Sequence, residues 1–292
     1  MRKDTLYVSD LDGTLLGTDS RISARSSEII SGLSRQGAKI TVATARTPAT
    51  VVPLLTNTYT TPPAVVMTGT AYWLRTLDTF RDPHFVPAVD VLTALEFCRS
   101  HDVHPFVYTM APDGRSLDVY HAAKVLNKAE ESFYLERRGL ELKRFHLGTP
   151  APSRAASLGR GHSTSADDSG ESTTMLLYAM GDEEKIRPAA EAFRDVTDCS
   201  VCCYPDIFNP QVWNFEVFPP GISKAGAVER LCDEEGASRL VVFGDSLNDL
   251  PMFEIADVAV AVANALPEVR AAADIIIDPN YTDSVARFIA ED

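Results

Sequence analysis

Asp10 and Asp12 close a short apolar stretch near the amino end of the chain and are followed at once by Gly13. Two carboxylates held this close cannot both ionise freely. One keeps a proton while the other stays anionic, unless a metal cation neutralises them. Such a pair supplies an anionic nucleophile beside a proton carrier. Gly13 lets the backbone turn tightly with its amide free to face an anion. The same residues also suit an ordinary turn after a strand, so the rest of the chain has to decide between the two.

A second acidic group, Gly244-Asp245-Ser246-Leu247-Asn248-Asp249, follows the apolar residues 240–243. A helix starting there would bring Asp245 and Asp249, four apart, onto one face, where like charges repel and a helix amino terminus only partly offsets the repulsion. A hard divalent cation offsets it better. Magnesium takes a few carboxylate oxygens together with waters and substrate phosphate, a set that Asp10, Asp245 and nearby groups can supply. Thr44 ends a predicted strand, so its hydroxyl suits donation to a phosphoryl oxygen, with Arg46 two residues beyond. Lys224 follows Ser223 in the first turn of a predicted helix, where the macrodipole disfavours a cation unless an anion is bound nearby. Taken singly, Thr44 reads as a packing or capping residue, Lys224 as a solvated lysine and residues 244–249 as a helix cap. Taken together at strand ends of one sheet, they read as a site.

The elements that must position these groups alternate. Residues 6–8 read as a buried strand of a parallel sheet, and ligands of such sheets gather beyond the strands' carboxyl ends. Ser23 caps a helix closed by Gly37, with Ile29, Ile30 and Leu33 on one face. A strand at 39–45, a short helix from Pro48 to Leu55 behind Thr47, and a strand at 64–67 follow. The rhythm resumes downstream with a helix from Ser223 to Gly236 and strands at 240–243, 258–262 and 275–277. Strands alternating with helices imply right-handed crossovers and a mostly parallel sheet, hence an α/β core. Residues 83–217 differ: helix 87–101, strands 105–109 and 117–121 joined across Asp113-Gly114, helix 122–138, strand 174–180, helix 183–195, then strands 200–204 and 212–218. This pattern is an α+β module inserted within the core. The stretch 149–173, rich in Ser, Ala, Gly, Asp and Pro with almost no large apolar residue, reads as a flexible loop without chemistry of its own.

Composition sets the outer bounds. With 292 residues and 45% apolar residues the chain is long enough for two domains with sizeable cores. A formal net charge of −14 argues against nucleic acid or an anionic membrane as partner. No apolar run approaches ~18 residues and no targeting signal is visible, so a cytoplasmic protein is expected. The five cysteines are spread thinly through apolar segments, as reduced buried thiols are. Cys199 and Cys202 have C-x-x-C spacing without a second pair or a His cluster, so zinc or redox duty is not expected. The histidines show no metal-ligand spacing, and oligomeric state is not readable.

These residues resemble the four motifs of the haloacid dehalogenase-like (HAD) superfamily of phosphohydrolases: Asp10-Leu11-Asp12-Gly13-Thr14, then Thr44, then Lys224, then residues 244–249. The insertion is similar to the type IIB cap of the Cof-like subfamily, and Gly221-Ile222-Ser223-Lys224, Asn264-Ala265, residues 273–276 and Asn280 also match. The resemblance implies a Rossmann-like parallel-sheet core (1–82 and 218–292) and an α+β cap domain (83–217). It implies that Asp10 attacks phosphorus to form an aspartyl-phosphate while Asp12 protonates the leaving alkoxide and then activates water. Mg2+ would be held by Asp10, the backbone carbonyl of Asp12, Asp245 and Asp249; Thr44, Arg46 and Lys224 would bind phosphate, and Asn248 would orient the cluster. The implied activity is a Mg2+-dependent phosphatase of small phosphorylated metabolites, sugar phosphates foremost, with specificity set by the cap through loops near Asp113-Gly114 and 206–213. A phosphosugar phosphomutase and a non-catalytic phosphometabolite sensor remain open. A dehalogenase would have no use for Asp12 and the metal acids. Departures are Thr68-Gly69 where the family has Asn-Gly, Ser284 where it has Gly, Thr44-Ala45-Arg46 where it has Thr-Gly-Arg, and a longer, more polar 149–173 stretch.

Overall fold

The computed structural model describes residues 4–152, 172–206 and 209–292. The larger part of the stretch 149–173, expected to be a flexible loop, therefore lies outside the described residues, as do residues 207–208 of the segment 206–213. The chain divides into two units, one running to Asp82 and resuming over Ser223–Asp292, the other Pro83–Ile222.

The first unit begins with strand β1 (Thr5–Ser9), every residue of which is buried, as a central parallel strand requires. Helix α1 (Ala24–Arg35) starts where Ser23 Oγ accepts the Ser26 N–H at 2.9 Å. Strand β2 (Lys39–Val42) pairs parallel with β1, and helix α2 (Pro48–Leu55) follows with its proline in the first turn, where the absent N–H costs nothing. Strands β3 (Ala64–Val66), β4 (Ala71–Leu74) and β5 (Thr79–Arg81) form a small antiparallel sheet. The last two are not apparent in the sequence, because only short apolar runs separate a tight turn at 67–69 from the polar residues around Asp78.

The second unit comprises α3 (Ala88–Ser100), β6 (Phe106–Met110), β7 (Leu117–His121), α4 (Lys128–Arg137), β8 (Lys143–Leu147), β9 (Thr174–Asp182), α5 (Glu183–Arg194), β10 (Cys199–Pro205) and β11 (Val212–Pro220). Its six strands run in the order β10-β11-β9-β6-β7-β8, antiparallel except for the β7–β8 pair. On one face Val107, Leu177, Phe215 and Val217 pack with Ala94, Ile186 and Phe193 from α3 and α5 in a continuous core. Alternate residues point to the other face, where Phe133 of α4 meets Phe106 and Tyr178. Helix α4 starts later than the expected residue 122. Asn127 and Glu130 form a capping box there, Asn127 Oδ1 accepting the Glu130 N–H at 2.9 Å and Glu130 Oε2 accepting the Asn127 N–H at 2.8 Å. A cleft of about 550 Å3 opens within this unit, lined among others by Asp102, His104, Asn127, Lys128, Asn209 and Gln211.

The chain then completes the first unit with α6 (Lys224–Glu234), β12 (Arg239–Gly244), α7 (Leu250–Ile255), β13 (Val258–Val262), α8 (Pro267–Ala272), β14 (Ile275–Ile277) and α9 (Ser284–Glu291). The parallel sheet has the order β14-β13-β12-β1-β2. Ser9 lies opposite both Val42 and Phe243 in register, so β1, β2 and β12 all end at one edge. The residues just beyond that edge are Asp10, Thr44 and Asp245.

Candidate active site

Asp10 follows β1 and is buried, its N–H donating to the Phe243 carbonyl at 3.0 Å. The chain then enters a distorted turn in which Gly13 adopts φ +79°, and a Cβ on Gly13 would fall onto Asp245 Oδ2. The glycine therefore serves two ends: it permits the left-handed backbone and it lets the two acidic loops touch. Thr14, fully buried, donates its hydroxyl to Asp245 Oδ1 at 2.9 Å, and Asn264 Nδ2 donates to the Gly13 carbonyl at 2.8 Å. Asn264 Oδ1 accepts the Asn280 N–H at 2.9 Å, and Asn280 Nδ2 donates to the Leu16 carbonyl at 2.7 Å. The loop carrying Asp10 and Asp12 is thus held from outside by a relay of two asparagines. Their positions resemble family matches in the sequence, but their task was not readable there, because it is contact with backbone more than 250 residues away.

The acids converge on Lys224. Its Nζ donates to Asp10 Oδ1 and to Asp249 Oδ1, each at 2.7 Å, and all three side chains are buried. Asp249 is sealed completely. Its Oδ2 accepts the N–H groups of Asp245 and Ser246 at 3.1 and 3.2 Å, which satisfies donors at the start of the turn 247–249. Asp245 is not on a helix face with Asp249, as their spacing suggested; it stands on the loop leaving β12, and the helical turn begins only at Leu247.

One ligand oxygen from each of Asp10, Asp245 and Asp249 lies within 4.8 Å of the others, a spacing that a single cation can bridge. Burial pushes the Asp10 carboxyl up to about 7, with Asp249 and Asp245 adding to the rise and Lys224 opposing it. Burial likewise lifts Asp245 to about 6, the Thr14 hydroxyl opposing and Asp249 adding. Burial also disfavours the Lys224 ammonium, but the carboxylates of Asp10 and Asp249 outweigh it and raise its proton affinity. Three crowded carboxylates with one ammonium remain short of positive charge. The donor set is all oxygen and suits a hard divalent ion such as Mg2+. Among the described residues, the grouping able to hold a metal ion contains no cysteine or histidine, and Cys199 and Cys202 are free thiols.

Thr44 is buried beyond β2. Its N–H bonds the Val65 carbonyl at 3.0 Å and its Oγ1 accepts the Arg46 N–H at 3.1 Å, which leaves the hydroxyl hydrogen available to a ligand. Arg46 turns its guanidinium to Asp12: Nε donates to Oδ2 at 2.7 Å and Nη2 to Oδ1 at 2.5 Å. Asp12 is the exposed member of the acid pair, and its side chain is not in the cluster with Asp10, Asp245 and Asp249. Asn248 is also exposed, its Oδ1 accepting the Ser246 hydroxyl at 2.6 Å.

The loop between β3 and β4 sits against the start of α6. Met67, Thr68 and Gly69 all have positive φ, 51°, 59° and 95°. The left-handed region suits Asn better than a β-branched residue, so Thr68 carries strain that the Asn usual at this position avoids. A Cβ on Gly69 would strike the Ser223 carbonyl oxygen. Gly69→Ala is therefore expected to destabilise the protein by at least about 1–3 kcal/mol through backbone strain and displacement of the Ser223 turn. An unchanged denaturant midpoint would refute this reading of the contact.

The sequence pattern of haloacid dehalogenase-like hydrolases matches residues 7–289. The pyridoxal phosphate phosphatase YbhA of Escherichia coli is 25% identical over 285 residues, covering 96% of this chain and 95% of its own. The 5-amino-6-(5-phospho-D-ribitylamino)uracil phosphatase YwtE of Bacillus subtilis is 28% identical over 298 residues, covering 96% and 95%. Among solved structures, the HAD subclass IIB sugar phosphatase BT4131 superposes with a TM-score of 0.68 at 17% identity, over 98% of each chain, a likeness of fold. The α/β core with an additional sheet domain is common to both. No helix among the described residues is long and apolar enough to cross a membrane.

Proposed function

The chain belongs to the haloacid dehalogenase-like hydrolases and is a phosphatase of that family; on that premise we propose that it hydrolyses small phosphomonoesters with Mg2+ through an aspartyl-phosphate on Asp10. The observation that carries this reading is the buried junction of Asp10, Lys224 and Asp249, with Asp245 alongside, at the carboxyl edge of the parallel sheet. Lys224 occupies Asp10 Oδ1, and Oδ2 remains for attack on phosphorus.

In the first step an Asp10 oxygen forms a bond to phosphorus as the ester P–O bond breaks, and Asp12 gives a proton to the departing alkoxide. In the second, Asp12 removes a proton from water, the new oxygen bonds phosphorus and the acyl phosphate bond breaks, restoring Asp10. Thr44 and Lys224 hold the phosphoryl oxygens, and Lys224 also keeps Asp10 from drifting. Mg2+, held by Asp10, Asp245, Asp249 and the Asp12 carbonyl, would neutralise charge between nucleophile and phosphate. Asn264, Asn280 and Thr14 fix the loops on which these acids sit.

Substrate recognition we assign to the second unit. The cleft there takes Asn209, Gln211 and Val212 from the segment 206–213, while the Asp113-Gly114 turn is not among its lining. Its mix of ammonium, amide and carboxylate groups suits a polar organic moiety such as a sugar or a phosphorylated heterocycle, in line with the substrates in the names of YbhA, YwtE and BT4131.

Purified protein is expected to release phosphate from p-nitrophenyl phosphate and from a panel of phosphorylated sugars and heterocycles only with Mg2+ present. Chelation should reduce the rate by at least about 10²-fold, because the crowded acids then repel the substrate, and added Mg2+ should restore it. Full activity after exhaustive chelation would rule out the metal; transfer of phosphate to a second sugar hydroxyl without release would mark a mutase.

A further inference from the structure

The bidentate pairing of Arg46 with Asp12 has a consequence for how the site opens. Both carboxylate oxygens of Asp12 are filled by the guanidinium, at 2.7 and 2.5 Å. In that state the fork takes the syn lone pair of each oxygen and fixes the carboxylate's orientation, leaving only the anti lone pairs to a leaving oxygen or a water. An acid–base residue so held is latched in one orientation, and full access to it needs Arg46 to let go. The latch is built to exchange: side-chain exposure is 29% for Arg46 and 53% for Asp12, so water competes for both partners. The arginine backbone, by contrast, is held on both sides. Its N–H bonds Thr44 Oγ1 at 3.1 Å and its carbonyl accepts the Met67 N–H at 3.0 Å. Only the side chain can swing, and it swings from a point two residues beyond the hydroxyl of Thr44. A phosphoryl group carries more negative charge than one carboxylate and offers the same fork-matching pair of oxygens.

We propose that Arg46 is a positioning residue that latches Asp12 in the resting enzyme and is drawn off it by the phosphoryl group of the incoming substrate, so that substrate itself frees the acid–base residue. This proposal rests on the phosphatase reading of Asp12. No covalent step is added; one guanidinium changes partner from carboxylate to phosphate.

The test compares kcat/KM of wild type, Arg46→Ala and Arg46→Lys on p-nitrophenyl phosphate, whose leaving group departs without a proton, and on glucose 6-phosphate, whose leaving group needs one. Inorganic phosphate serves as a competitive binding probe. A transferable latch predicts that Arg46→Ala lowers kcat/KM on both substrates by the same factor, roughly 10–100-fold, and weakens phosphate inhibition to a similar degree, since a charge-assisted contact to the phosphoryl group is lost. Arg46→Lys, which supplies charge but not the fork, should recover part of both. A loss confined to glucose 6-phosphate would mean that Arg46 stays on Asp12 through the reaction, and overturns the proposal. Unchanged kcat/KM and phosphate inhibition in Arg46→Ala overturn it as well. Wild-type protein that turns over neither these substrates nor the wider panel would instead remove the phosphatase reading on which the latch depends.

Discussion

Asp10→Asn is expected to reduce phosphate release by at least about 10³-fold while leaving the fold intact, because the amide is a poor nucleophile and cannot form the acyl phosphate. The substitution is nearly isosteric. It leaves Lys224 bonded to Asp249 and removes one of three crowded carboxylates, so no unpaired charge is buried. The loss should therefore appear in turnover and in acid-stable labelling of the protein by phosphate, not in the melting temperature. Labelling of Asp10→Asn at the wild-type level would transfer the nucleophile's role elsewhere.

Lys224→Ala should damage both stability and activity. Among the described residues, the ammonium is the cation that pairs with both Asp10 and Asp249, and its removal leaves two buried carboxylates facing each other. Breaking a buried pair in this way costs roughly 3–5 kcal/mol, the penalty of the uncompensated charge rather than the worth of the bond. Asp10, no longer opposed by the ammonium, will take up a proton more readily, which also weakens the nucleophile. Activity should fall by at least about 10²-fold, since the same ammonium is assigned to the phosphoryl oxygens. Added Mg2+ is expected to recover stability in part, because a bound cation substitutes for the missing charge. Chemical denaturation with and without Mg2+ measures both effects. A variant as stable as wild type in the absence of metal would show that the cluster does not need Lys224.

The sequence alone carried the catalytic candidates and the fold class. Asp10, Asp12, Thr44, Lys224 and Asp245 all lie at or just past the ends of apolar strands, or at a capped helix start, and those are local patterns of hydrophobicity and capping. The strands at 258–262 and 275–277 could be placed to the residue for the same reason. Elements with weak local signals are not fixed by local pattern. Helix α4 begins six residues late because its capping box, not its apolar pattern, sets the start. Strands β4, β5 and β8 depend on partners for their pairing more than on their own composition.

Spacing also misled about the acids. The i, i+4 spacing of Asp245 and Asp249 suggests a shared helix face, whereas Asp249 turns its carboxylate onto the backbone of Asp245 and Ser246. What the sequence by itself determined was which residues are candidates for chemistry and which strand or helix end presents each. Only the tertiary structure decided who touches whom: Lys224 with two acids, Gly13 under Asp245, the Asn264–Asn280 relay, and Arg46 closed on Asp12. The division has a physical cause. Strand and helix ends are set by interactions a few residues long, while a buried charge cluster is set by the parallel register that brings β1 and β12 side by side across more than 230 residues of chain, and by the need to balance charge once water is excluded.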